Sequence, residues 1–248
     1  MAWSTSDTPV PDTIDDDKPS SSTVELAPTR VSAPESTTIH FVIARREGFT
    51  KRLYDAVAPL QNPDPEKPPM LPTRKYTCFV EGPYTNESFS FESFSTLLFI
   101  AGGSGITHPL GHIRQLLIDS AQGLVSARRI KLAWIVPDLE NYSWVSEWLE
   151  DLWHFDAGRK ILEIEVYVTR PTPTPRVPKG TKAKFFTGRP VPDTLLEDMA
   201  TPKVGTCTGA ISVNVCGPGG LADSYRDAAR NRVDSARIEY SEESFTWS

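Results

Sequence analysis

The sequence is short of cysteine. Its three, Cys78, Cys207 and Cys216, are odd in number and far apart, which argues against a disulfide framework or a zinc ribbon and fits free thiols in a reducing compartment. Histidine is scarcer than a metal centre wants: of His40, His108, His112 and His154 only His108 and His112 share a helical spacing, and two ligands without a third do not close a zinc site. Long apolar runs are missing too. None exceeds five residues, 97–101 being one of them, against the roughly 20 that a membrane-spanning helix needs. The N-terminus lacks the basic-then-apolar order of a secretory signal,. Nor is there surplus positive charge. Residues 1–38 hold seven acids against Lys18 and Arg30, and the other 25 acids and 24 bases nearly cancel, so the net charge of −6 offers no nucleic-acid surface,.

What the chain does have is a change of texture along its length. Residues 1–38 are acidic and rich in Ser, Thr and Pro, too poor in large apolar groups to offset the entropy of ordering, and read as a mostly disordered segment,. Residues 39–92 read as a remnant of a β-barrel domain: a strand at 39–44, a turn and amphipathic helical stretch through Leu53, Tyr54 and Val57, a connection with six prolines at 59–72, and a strand at 76–80,. Residues 93–248 alternate strands with helices, the pattern of a parallel sheet covered on both faces. Strands are expected at 96–100, 130–136, 161–169, 183–186, 211–215 and, as strand or extended tail, 238–247. Helices are expected at 109–120, burying Leu110, Ile113, Leu116 and Leu117; at 142–153, with Trp144, Trp148, Leu149 and Leu152 on one face; at 193–199 with an acidic cap; and from the 216–220 turn to about Asn231. The fold class is therefore α/β.

Two glycine-rich turns carry the chemistry. Ala101-Gly102-Gly103-Ser104-Gly105-Ile106-Thr107 falls where the first strand gives way to a helix. Glycines there permit positive φ and let backbone amides approach a phosphate, and a helix N-terminus favours negative charge. The plain alternative is a tight turn with no ligand. No Gly-Lys-Ser or Gly-Lys-Thr follows, so the turn is not a nucleoside-triphosphate loop. Cys216-Gly217-Pro218-Gly219-Gly220 ends a later strand, on the edge of an open α/β sheet where ligands collect. Cys216 by itself reads as a small buried hydrophobe. A pair of such turns on one edge suits a dinucleotide.

Gly82-Pro83-Tyr84, the 101–107 turn, Trp134, Cys216-Gly217-Pro218-Gly219 and Glu243-Ser244-Phe245-Thr246-Trp247 stand in an order and spacing that resembles the dehydrogenase half of a fungal ferric-chelate reductase. That family is related to NADPH oxidases and, more distantly, to ferredoxin-NADP reductases. The resemblance covers residues 39–247. It implies a ferredoxin-NADP reductase-like fold, with a partial antiparallel flavin-domain barrel before a Rossmann-like NADPH-binding sheet. It also implies hydride transfer from NADPH to FAD, then single electrons through heme in a membrane domain to ferric iron, at the cytosolic face of a membrane. Gly102, Gly103, Ser104, Gly105 and Thr107 would hold the NADPH pyrophosphate, and Cys216 with Gly217, Pro218 and Gly219 would stand beside the nicotinamide. Phe245 resembles the C-terminal aromatic that stacks on the flavin and moves for hydride transfer, with Trp247 as a second candidate.

Thr169, Arg170, one or both of Lys182 and Lys184, and Phe185 match the segment that grips the 2′-phosphate and adenine, favouring NADPH over NADH. Arg189 is a further candidate. A solvated basic loop is the plain alternative. On the flavin side, Arg46, Gly48 and Thr50 resemble an FAD segment, and Gly82, Pro83 and Tyr84 would pack where the barrel meets the nucleotide domain; on sequence alone Thr50 could equally be a helix cap. Departures from the family pattern stand out, with a smaller one at Thr85. The His-Pro-Phe-Thr flavin signature is absent, Met1-Ala2-Trp3 resembles what normally follows it, and Thr85 replaces the glycine usual after Gly-Pro-Tyr. The chain is thus expected to begin partway through the barrel, with the heme-bearing helices missing. Other readings are an NADPH-binding fragment without turnover and a soluble diaphorase.

Overall fold

The structure, a computed structural model, describes residues 41–43, 45, 47–57, 77, 79, 81, 90–171, 180–201, 209–232 and 237–244. The expectations for residues 1–38, and most of those for the barrel remnant, lie outside them. All elements below belong to the unit Ile43–Ser248.

Ahead of the sheet, α1 (Phe49–Val57) follows Gly48, whose φ of +89° sets the turn into the helix. Thr50 lies inside the first turn rather than at the cap. Residues 41–43, expected as strand, are irregular, and Phe41 and Ile43 are exposed, so no buried face holds a strand there. Residues 77, 79 and 81, in and just past the second expected strand, are irregular and exposed as well.

From Thr96 onward six parallel strands form one sheet: β1 (Thr96–Gly102), β2 (Arg129–Val136), β3 (Leu162–Val168), β4 (Lys184–Thr187), β5 (Ile211–Gly217) and β6 (Ile238–Ser244). Their spatial order is β4-β3-β2-β1-β5-β6. The chain winds outward from β1 to β4, then returns to add β5 and β6 on the other side of β1. The order reverses between β1 and β5, where Ala101 pairs with Cys216.

Helix α2 (Thr107–Ala121) and α3 (Ser146–Asp156) join β1, β2 and β3; α4 (Pro192–Ala200) and α5 (Gly219–Arg230) join β4, β5 and β6. Because side chains alternate along a strand, each strand feeds two cores. Leu98, Ile100, Ala133, Ile211, Val213 and Val215 pack with Leu195, Leu196, Met199, Tyr225 and Ala229 on the α4–α5 side. Leu97, Phe99, Ile130, Leu132, Trp134 and Ile164 take the other, all at most 2% exposed.

Two helices depart from expectation. The one expected at 142–153 is two pieces, a 3-10 helix Leu139–Trp144 and α3, separated at Val145 (φ −133°, ψ 9°). Asp138 starts the first piece: its carboxylate accepts from the Asn141 amide while the Asn141 side chain accepts from the Asp138 N–H. The break rotates Trp153 into the core and leaves Trp144 and Trp148 half-buried. For α4, Asp193 lies in the first turn rather than at the cap, and Pro192 opens the helix.

Candidate functional site

Both glycine turns emerge at the carboxyl edge, at the point where strand order reverses. That is the crevice where open α/β sheets bind ligands. After β1 the chain makes one 3-10 turn (Gly103–Ile106) and runs on into α2; after β5 it passes Pro218 into α5. Neither Gly102 nor Pro218 is joined by a side-chain cap, and neither helical start carries an acid in its first turn. By contrast, Glu147 and Asp193 stand in the first turns of α3 and α4. Leading amides without a side-chain cap, in first turns that hold no acid, are an electrostatic condition for an external anion.

The glycines divide by role. A Cβ on Gly102 would lie 2.9 Å from Pro218 Cδ, one on Gly105 2.5 Å from the Cys216 carbonyl oxygen, and one on Gly217 3.2 Å from the Gly102 backbone. These three let the two turns pack backbone against backbone. Gly103 is different: its φ is +54° and nothing lies within 4 Å of a Cβ built there. It supplies the left-handed conformation and leaves open space at the turn. Trp134, fully buried on β2, donates its indole N–H to the Gly103 carbonyl at 2.9 Å and so fixes the peptide orientation. Thr107 is exposed at the start of α2, its hydroxyl donating to the Ser104 carbonyl at 3.2 Å.

Cys216 is fully buried beneath Gly105, and burial followed by the nearby Glu243 charge pushes its thiol pKa up to about 12. At neutral pH it is held as the thiol and is a weak nucleophile. Around it on the α2 side lies a polar group in which the sequence pointed only to His108. Asn214 donates to Ser241 at 3.0 Å, but its Oδ1 is buried without a partner, as are His108 Nε2 and Ser212 Oγ. Burial, then His112, lowers the His108 pKa, with Glu243 and Asn214 acting against. Alternation was the available signal, since Ser212, Asn214 and Cys216 share one face of β5.

At the other end of the edge, Thr169 and Arg170 follow β3. Their amides bond to the carbonyls of Val136 and Pro137, and Arg170 reaches Asp138 at 2.7 Å. Phe185 packs edge-on against Tyr142, whose hydroxyl meets Thr181 at 2.7 Å. Lys182 is exposed. Lys184 projects from the opposite face to Phe185, 4.0 Å from Glu163, which separates it from this group,. Arg189 is exposed beyond Gly188. Arg46, Gly82, Pro83, Tyr84, Phe245 and Trp247 lie outside the described residues.

Among the described residues no cluster of three metal-ligating side chains occurs, and no helix is long and apolar enough to cross a membrane. Residues 94–182 match the model of the ferric reductase NAD binding domain. NADPH oxidase 4 of Rattus norvegicus is 25% identical over 235 residues, covering 90% of this chain and 39% of that protein. The ferric/cupric reductase transmembrane component 1 of Candida albicans is 26% identical over 201 residues, 68% of this chain and 25% of that protein. Among solved structures, the CS-b5R domains of human Ncb5or in the NAD+ form give a TM-score of 0.42 at 18% identity, over 62% of this chain and 39% of that one. The chain thus spans about two fifths of the length of the NADPH oxidase 4 proteins it matches. The segment that matches the ferric reductase NAD binding domain takes in β1, its glycine turn, α2, β2, α3 and β3.

Proposed function

We propose that this chain is the nucleotide-binding part of an NADPH-dependent dehydrogenase module, passing hydride to FAD for onward one-electron transfer through heme in a membrane partner segment to ferric iron. The observation that carries the reading is the contact between two uncapped glycine turns at the reversal point of the sheet. The nearest amides of Gly103, Ser104 and Gly105 would take the pyrophosphate, with Thr107 beside them. Cys216, Gly217, Pro218 and Gly219 would flank the nicotinamide, and Phe245 would cover the flavin. Neutral, buried Cys216 suits a wall against which a ring lies, and it excludes water without taking part in bond-making. Thr169, Arg170 and Lys182 supply the positive end for a 2′-phosphate, and Phe185 an aromatic surface for adenine. Gly48, Thr50, Arg46, Gly82, Pro83 and Tyr84 are the flavin-side candidates. The hydride chemistry is the cofactors' own.

Calorimetric titration with NADPH and NADH, followed by absorbance with added FAD, tests this. NADPH should bind about 10-fold or more tighter than NADH, and Arg170→Ala should erase most of that difference. A flavin band bleached by NADPH under anaerobic conditions supports the dehydrogenase. Nucleotide binding without flavin uptake would reduce the chain to an NADPH-binding module, and binding of neither nucleotide would overturn the reading.

A further inference from the structure

The last strand carries a register problem. Among the described residues β6 is an edge strand, paired with β5 alone, and it ends in Ser241-Glu242-Glu243-Ser244, which reads the same in both directions. A slip of one residue would exchange Glu242 and Glu243 between the two faces, and every residue after them with it. Backbone pairing alone does not prevent this. In the structure Glu243 pairs with Cys216, and Glu242 turns to the opposite face, toward α5.

There a side-chain assembly holds it. Arg226 Nη2 lies 2.6 Å from both Glu242 carboxylate oxygens and its Nε 3.2 Å from one of them. Asp223, one turn earlier on α5, takes Arg226 Nη1 at 2.7 Å and aims the guanidinium. The Tyr240 hydroxyl stands 2.9 Å from the Ala222 carbonyl and 2.8 Å from Glu242, its single proton serving one at a time. Arg226 and then Tyr240 hold the Glu242 carboxyl below its ordinary range. Because α5 begins at the Cys216–Gly219 turn, the strand is pinned to the helix that leaves the glycine turn.

We infer that Arg226 is a positioning residue: with Asp223 and Tyr240 it locks the register of β6, and so places Glu243 beside Cys216. The lock stands on geometry alone; its consequence for turnover rests on the nucleotide reading.

A chain with Cys78→Ser and Cys207→Ser leaves Cys216 as the sole thiol. Its reaction with neutral 4,4′-dithiodipyridine, without nucleotide, reports how well β6 covers it. Arg226→Gln should speed the reaction about 10-fold, through access and through withdrawal of the Glu243 charge. Tyr240→Phe should lie between, and the exchanged pair Arg226→Glu with Glu242→Arg should return toward the parent rate. A rate unchanged in both single variants, with unaltered circular dichroism, overturns the lock; Tyr240→Phe decides alone if Arg226→Gln does not fold. In flavin-loaded protein Arg226→Gln should lower kcat while KM for NADPH stays within about 2-fold. A rise in KM alone would place Arg226 in binding and overturn the positioning role. The thiol assay contains no nucleotide, so it still judges the lock if the nucleotide reading fails.

Discussion

On the α4 side of the sheet, Arg129 and Lys131 are each 4% exposed, yet every charge there meets an opposite one. Lys131 Nζ lies 2.6 Å from Asp198, 2.9 Å from Glu165 and 3.5 Å from Glu163, and Arg129 reaches Asp198 at 2.7 Å. Lys131 and Arg129 hold the Asp198 pKa down to about 2, against the desolvation that opposes them. On the α2 side, His108, Ser212 and Asn214 are uncharged or kept so, and three of their buried polar atoms have no partner. The α4 side has counterexamples of its own, since the Tyr225 hydroxyl and Arg129 Nε are also buried without a hydrogen-bond partner, although Arg129 Nε lies 4.0 Å from Glu163. Charges that are buried and paired hold helix and strands in one arrangement. Unpartnered polar atoms cost stability instead, and here they gather beside the turn proposed above to hold a nucleotide.

Removing the central cation is the harshest way to break the paired side. Lys131→Met keeps most of the volume but leaves Glu165, 6% exposed, and Asp198 without their shared partner. A loss of about 3–5 kcal/mol is expected by urea denaturation; a loss under about 1 kcal/mol would mean that the cluster is solvated and the contrast between the faces is false. The next largest effect belongs to the other side, where the fold depends on missing atoms rather than on charge. Gly105→Ala sets a Cβ 2.5 Å from the Cys216 oxygen, so backbone must move, at about 1–3 kcal/mol,. The turns would part, and NADPH binding should weaken about 10-fold by titration. Gly220→Ala, in α5 with open space around it, should instead gain about 0.5–1 kcal/mol,. Equal losses in both would refute the close-approach account.

How much of this was legible follows from the range of each interaction. The strands could be read because parallel strands buried on both faces are nearly continuous apolar runs, as Leu97 to Ala101 shows. The α2 face was legible from its spacing, and Leu110, Ile113, Leu116 and Leu117 are all buried. The glycine turns could be placed at strand ends. Their mutual contact could not, because it depends on β5 lying beside β1, more than a hundred residues away. For the same reason Gly102 and Gly105 looked like phosphate-approach glycines, whereas their immediate need is to clear Pro218 and Cys216. The charge cluster left a trace that only pairing makes meaningful: Arg129 and Lys131 alternate with Ile130 and Leu132, as Glu163 and Glu165 do with Leu162 and Ile164. Once β2 lies beside β3, the two polar rows share a face. Lys182 and Lys184 were equivalent in sequence, and strand alternation then set Lys184 apart, against Glu163.

The gentlest test sharpens the comparison through pH. His108 faces His112 on its own helix, Asn214 on β5 and Glu243 on β6. Burial, then the His112 charge, puts its folded-state pKa below the ordinary 6.5. Between that lowered value and 6.5 the unfolded chain binds more protons than the folded one, so stability rises with pH across this window and is lost as pH falls through it. His108→Asn removes the titration. Wild type and variant should therefore show a stability difference that is constant above pH 7 and shifts in favour of the variant as pH drops below 6.5, followed by thermal melts at each pH. The Asp198 cluster imposes no such slope near neutrality, because its carboxyl titrates only near pH 2. A parallel pair of curves from pH 7 to pH 5 would mean that His108 stays solvated enough to protonate normally, and that the α2 side is not the dry, unpaired face that its geometry describes.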